Sequence, residues 1–303
     1  MRKLAVFLIF LTALSVPAGA QISLFGLKNS LFQFALEQIS VPGELEIQAE
    51  GVEDAEDGAT EIIGLTVGDA EGVWLKVGRI SLSWNASRIV RGELEISRLA
   101  ASDVEVLRAP ASSAVAVEAK PGSELAETDD DPFDWPRSPI TTRIDELVAE
   151  RVSIAPNIVA AQSLAIDLTG SLRDEGDEQS ANFLITRTDD VSGRIVLNFL
   201  RDFAANRLDL TLKADEAAGG IVAELAGFPP DSASKVDLSG TGPLDDWTLS
   251  LAASADSVFD AKGQGKLNAT DRLAATFDFT LTPGDALDPQ IAQALSPNAR
   301  IIA

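Results

Sequence analysis

The sequence predicts a mainly β protein of one-sided strands, with a single amphipathic helix near its start. Three observations predict it. Apolar residues recur at every second position in segment after segment, Gly, Asn and Asp punctuate those segments, and helical spacing is confined to one early stretch.

The N-terminus comes first. Arg2 and Lys3 precede an apolar run from Leu4 to Val16, and Ala18-Gly19-Ala20 supplies a small-residue site before Gln21. The run is too short for a span of ~20 residues and fits an export signal, so 1–20 reads as a signal peptide or signal-anchor. Residues 21–43 follow as an amphipathic helix. Leu24, Leu27, Leu31 and Ala35 fall at helical spacing, with Phe32, Leu36 and Ile39 beside them, until Val41-Pro42-Gly43 stops it.

From Glu44 the period becomes two. Leu45, Ile47 and Ala49 face one way and Glu44, Glu46, Gln48 and Glu50 the other. The alternation returns at Ile63/Leu65/Val67, Leu94/Ile96, Val104/Val106, Leu164/Ile166/Leu168 and Ile195/Leu197/Phe199. It returns again at Leu208/Leu210/Leu212, Trp247/Leu249/Leu251 and Phe277/Phe279/Leu281. Each reads as a half-buried strand, around ten in all. In "GVWLKVGRISLSWN" (72–85) the phase slips. Val73, Leu75 and Val77 are odd, Ile80, Leu82 and Trp84 even, and a β-bulge or bend is expected at Gly78-Arg79.

Two stretches interrupt the pattern. Ten acidic residues and no basic one lie from Glu44 to Glu71, many in "EGVEDAEDGATE", which reads as a loop. Residues 110–139, rich in Ala, Ser, Pro and acid, read as a flexible linker. It separates an N-terminal β segment, 44–109, from a second, 140–303.

Composition removes most chemistry. There is no His, Cys or Tyr, so disulfides, His/Cys metal sites and a Ser-His or Cys nucleophile are all excluded. Asp129-Asp130-Asp131 lacks the alternating spacing of a calcium loop. Gly219-Gly220 and "GQG" (263–265) read as turn glycines, and no phosphate-cradling motif occurs. The adjacent pairs Asp189-Asp190 and Asp245-Asp246 would point to opposite faces of a strand. No catalytic residue, cofactor or metal is expected; the chain reads as a non-enzyme. A net charge of −23 repels nucleic acid.

A large one-faced sheet must fold into a sandwich, close into a barrel, or curl into a trough holding something apolar. Apolar runs of about five residues and the absence of tyrosine fit a membrane barrel poorly, since its strands need ~10 residues and aromatic girdles. Sandwich and trough remain open on composition.

The stretch 69–110 narrows the choice. An acidic-Gly-Val-Trp-Leu entry (Glu71 to Leu75) leads to a Trp-bearing strand (Ile80 to Trp84). Arg91-Gly92, Leu94 to Ile96 and a Val-x-Val-x-Arg-x-Pro close at Val104 to Pro110 follow. In that order it resembles the opening of the TamB family, AsmA-like inner-membrane subunits of the translocation and assembly module. "GGIVAELAGFPP" (219–230) and "GTGPLDDW" (240–247) are similar to later segments of alphaproteobacterial members. The resemblance implies an elongated, curled antiparallel or mixed sheet, the β-taco, with an apolar groove for phospholipid acyl chains. It implies a periplasmic place in a Gram-negative envelope, at the inner membrane if the N-terminal segment is retained. It also implies phospholipid transport between the two membranes and outer-membrane protein assembly. The family's barrel partner, of the TamA/Omp85 kind, is met through a C-terminal region with no counterpart here. The pattern is still running at "LSPNARIIA" (295–303), so the chain is expected to be an N-terminal portion. The groove-lining residues expected on this reading are Ile63, Leu65, Val67, Ile80, Leu82, Trp84, Leu94, Ile96, Leu208, Leu210, Leu212, Phe277 and Phe279. Two rivals are an assembly factor that works by strand pairing without lipid, and an exported structural β protein with a closed core.

Overall fold

Alternating apolar and polar residues favour extended backbone whose two faces differ, and the described chain is almost entirely such backbone. The structure, a computed structural model, describes residues 45–55, 58–111, 141–268, 274–286 and 299–302. The expected signal, the amphipathic helix and nearly all of the linker lie outside them.

Among the described residues, fifteen strands form one mixed, open sheet. They are β1 (Glu46–Gln48), β2 (Gly51–Asp54), β3 (Thr60–Asp69), β4 (Gly72–Trp84), β5 (Glu93–Val106), β6 (Thr141–Ile154), β7 (Leu164–Asp174) and β8 (Glu178–Arg187). There follow β9 (Gly193–Asp202), β10 (Arg207–Glu216), β11 (Ser234–Thr241), β12 (Trp247–Ala255), β13 (Phe259–Asn268), β14 (Ala274–Pro283) and β15 (Ala299–Ile302). A 3₁₀ turn (Ala86–Arg91) and the short helix α1 (Ile221–Ala226) interrupt the series.

From β3 to β15 the spatial order is the sequence order, and β1 and β2 share the outer edge of β3. Every pairing is antiparallel except β5 with β6, which is parallel from Glu93↔Thr141 to Val106↔Ile154. A parallel pair needs a connection that returns the chain the whole strand length, here ~45 Å at 3.3 Å per residue. The two expected β segments therefore belong to one sheet, joined at this step.

Two expectations are corrected. "EGVEDAEDGATE" is not simply a loop. Gly51–Asp54 pairs with Thr60–Ile63, and its one apolar residue, Val52, is buried opposite Ile62. Nor are the strands as short as the apolar runs: β3 to β14 hold 8 to 14 residues each. Leu94/Ile96 and Val104/Val106 sit in the single strand β5.

The phase slip at Gly78 is real and takes the second of the two expected forms, a bend that keeps the strand paired, not a bulge. Leu75 and Val77 on one side and Ile80 and Leu82 on the other are buried, with Gly78 and Arg79 exposed between them. The β3–β4 register is the same on both sides. Register is kept because the neighbours slip too. Gly64 (φ 62°), Asp103 (φ 56°) and Arg151 (φ 54°) occupy the same lateral position on β3, β5 and β6, all left-handed. The four strands share one crease. A Cβ on Gly78 would lie 2.9 Å from that of Asp103, so glycine is required where the strands close up. Asp103 and Arg151 clasp across the parallel pair, Nε to Oδ1 at 2.6 Å and Nη2 to Oδ2 at 2.9 Å, and the Arg151 N–H donates to Asp167 at 2.8 Å.

A second staple closes the β3–β4 turn. Arg108, just beyond β5, donates to both oxygens of Asp69, one of them at 3.0 Å, and the Ala111 N–H donates to Asp69 at 2.7 Å. Arg108, and after it the N–H groups of Ala111 and Glu71, holds the Asp69 carboxyl well below its ordinary 3.8 against the opposing effect of burial. A depressed carboxyl stabilises the fold above its unfolded value, and that contribution is lost as pH falls toward the folded one. Wild type is expected to lose urea resistance between about pH 5 and 2.5, and Asp69→Asn to start lower and show a flatter slope. Parallel slopes in urea midpoints measured across that range would contradict it.

Candidate functional site: the apolar face

Strict alternation puts every second side chain on one face, and register then aligns those faces across strands. The result is a set of lateral apolar rows. One starts at Val52, Ile62, Ile80 and Ala101, continues through Ala149, Leu168, Ile185 and Ile195, and ends with Ala214, Val236, Ala253, Ala261 and Leu281. It runs unbroken from β2 to β14. A second row carries Leu82, Leu99, Leu147, Gly170, Phe183, Leu197, Leu212, Leu238, Leu251, Gly263 and Phe279. A third carries Trp84, Ile96, Ile144, Leu172, Ala181, Phe199, Leu210, Gly240, Leu249, Gly265 and Phe277.

Twelve of the thirteen expected groove residues share this face. Ile63 does not. It pairs with Arg79, whose guanidinium reaches Glu61 at 2.8 Å on the polar side, while Ile62 takes the apolar place opposite Ile80. Gly64, left-handed, breaks the alternation that made Ile63, Leu65 and Val67 look like one face.

The face changes along its length. Over β3 to β7 it is a packed core: Leu65, Val67, Ile80, Leu82 and Ile96 are each below 10% exposed. Over β8 to β14 Leu197, Leu210, Leu212, Leu238, Leu251, Phe277 and Phe279 are only half-buried, and Ile195 is 38% exposed. Trp84 and Leu94 are also half-buried, and Leu208 is buried under Trp247, whose indole N–H donates to the Leu208 carbonyl at 2.9 Å. A sandwich would need a second sheet over this face; the described residues form one sheet.

The opposite face is polar. Its rows alternate in charge, with Lys213 and Asp237 at 3.4 Å and Lys235 and Asp215 at 3.1 Å directly across strands. Depressions of about 540 Å³ and 570 Å³ lie on this side. The first is lined by Ser180, Asn182, Asn198, Thr211, Ser239 and Ser250, the second by those ion pairs. A twisted sheet is saddle-shaped, so each face is concave along one diagonal. The apolar rows therefore form an open strip and not an enclosed tunnel.

One margin of the strip is built up. Residues 217–233, which include α1, fold onto the β6–β7 loop and β13. Ile221 packs against the core of the first strands, Ala223 is 1% exposed, and Phe228 meets Phe259 edge-on at 5.6 Å. Arg187 and Glu216 hold this corner at 2.6 Å, Asp189 joins at 2.9 Å, and Glu216 accepts the Val222 N–H at 2.8 Å. Burial works against ionisation of Asp189. Arg187 and the N–H groups of Ala165 and Val191 outweigh it and bring its carboxyl below the ordinary value.

The glycines of "GQG" lie inside β13 and not in a turn, whereas Gly219, with φ 79°, sits in the turn that leads into α1. Among the described residues no three metal-binding side chains converge, and no helix is long and apolar enough to cross a membrane. No family model, curated protein or solved structure matches the chain.

Proposed function

We propose that the half-open strip over β8 to β14 holds phospholipid acyl chains. The protein would then be a periplasmic, TamB-like bridge segment carrying lipid between the inner and outer membranes, and a contributor to outer-membrane protein assembly. The observation that carries this reading is lateral continuity. Three apolar rows cross strand after strand without a charged side chain from β8 to β14. The same rows form a packed core over β3 to β7; over β8 to β14 they stay half-exposed, which leaves them open to a guest that slides. Shielding a chain of ~16 carbons at ~0.8 kcal/mol per CH₂ is worth on the order of 10 kcal/mol, and the same gain recurs at each step. The signal peptide or signal-anchor expected over 1–20 supports the envelope location, and the TamB-like order of 69–110 supports a barrel partner of the TamA/Omp85 kind. Native mass spectrometry of gently purified protein tests the reading. Adducts of phospholipid mass are expected, and a uniformly empty protein from lipid-replete cells would refute it.

A further inference from the structure

Four glycines on the apolar face lie beneath aromatic rings. A Cβ would fall 2.5 Å from the Phe183 ring at Gly170, 1.9 Å from Trp247 at Gly240, 2.1 Å from Phe279 at Gly263 and 2.4 Å from Phe277 at Gly265, and backbone oxygens of Asn182, Asp278 and Thr276 stand 2.4, 2.5 and 3.1 Å from it at Gly170, Gly263 and Gly265. Three of these are direct cross-strand partners: Gly170 with Phe183, Gly263 with Phe279 and Gly265 with Phe277. Glycine inside a strand forfeits side-chain packing, and a neighbouring ring laid over it restores contact with the backbone. The β13–β14 end concentrates the arrangement. Phe277 and Phe279 lie side by side, centroids 5.6 Å apart and planes at 21°, each with ring carbons against its own glycine.

Resting on the lipid reading, we infer that Gly263 and Gly265 set the clearance of the strip at this end by letting Phe279 and Phe277 lie down. A side chain on a strand ordinarily stands roughly perpendicular to the sheet. A phenyl ring over an alanine must do the same, because carbon atoms cannot approach closer than ~3.5 Å without repulsion. The ring must move by about 1 to 1.5 Å to clear the new methyl, into the space a guest would occupy. The glycines are positioning residues: they act through the rings and touch no lipid themselves.

The chain has no cysteine, and site-specific probes are simple to place. A photo-crosslinking residue is introduced at Leu212 or, separately, at Leu281, and the protein is mixed with phosphatidylethanolamine vesicles. Wild type is expected to label at both positions. Gly263→Ala/Gly265→Ala should keep labelling at 212 and lose it at 281 by about tenfold. In Gly265→Ala alone, where the added Cβ meets backbone no closer than 3.1 Å, the loss at 281 should be smaller and Phe277→Ala should restore it. Unfolding cannot mimic this pattern, since removing another large side chain would not repair it. Equal labelling at 281 in the double glycine variant, or no restoration once the ring is gone, overturns the clearance role and leaves lipid binding standing. A wild type that labels at neither position overturns both.

Discussion

Leu212→Asp is expected to reduce phospholipid bound to the purified protein by about tenfold or more, while Thr211→Asp leaves it unchanged. The two positions are neighbours on β10 and face opposite ways: Leu212 lies in the second apolar row between Leu197 and Leu238, Thr211 between Asn198 and Ser239. A carboxylate in the strip must keep its water, because stripping it without a partner costs several kcal/mol, and a guest cannot then pass over it. The same charge on the polar side joins a face already laced with Lys and Asp. Leu212 is half-buried, not core, so the sheet tolerates the change. Lipid quantified by mass spectrometry on both variants checks it. Equal loss from both would mean that a general charge effect, and not the strip, governs binding.

Arg187→Met is expected to destabilise the fold by about 3–5 kcal/mol. Its guanidinium is 6% exposed and bridges Asp189 and Glu216, the latter 10% exposed. Removing the cation leaves two carboxylates in a poorly solvated corner that also anchors α1 through the Val222 N–H. Arg98→Met is the matched control. Arg98 and Glu146 lie 3.3 Å apart with about half of each side chain exposed, and such pairs contribute about 0–1 kcal/mol. Urea unfolding of the two variants measures the difference. A loss under about 1 kcal/mol for Arg187→Met would show that this corner does not hold the margin together.

Most strands were legible because a half-buried strand writes its burial into the sequence at period two. Those that escaped did so for identifiable reasons. In β6 the inward residues Ile144, Leu147, Ala149, Val152 and Ile154 are spaced three, two, three and two, because register shifts beside β7 interrupt the alternation. In β13 the inward places belong to Ala261, Gly263 and Gly265, which carry too little apolar side chain to register as a pattern. The acidic flanks of Val52 hid β2 in the same way. The face was legible, its openness was not: Leu82 and Leu212 look equivalent in sequence, yet one is core and the other half-exposed. Burial by distant chain is a tertiary fact that local periodicity does not encode.

The crease through Gly64, Gly78, Asp103 and Arg151 has a mechanical consequence. A plate folded along a line gains bending stiffness along that line, as corrugated board does, since its cross-section is no longer flat. The strands β3 to β6 are corrugated across their width and so resist being rolled up further, whereas β8 to β14 carry no such fold in register. Breathing of the sheet is therefore directed to the distal strands, and the proximal ones behave as a rigid root from which they flex.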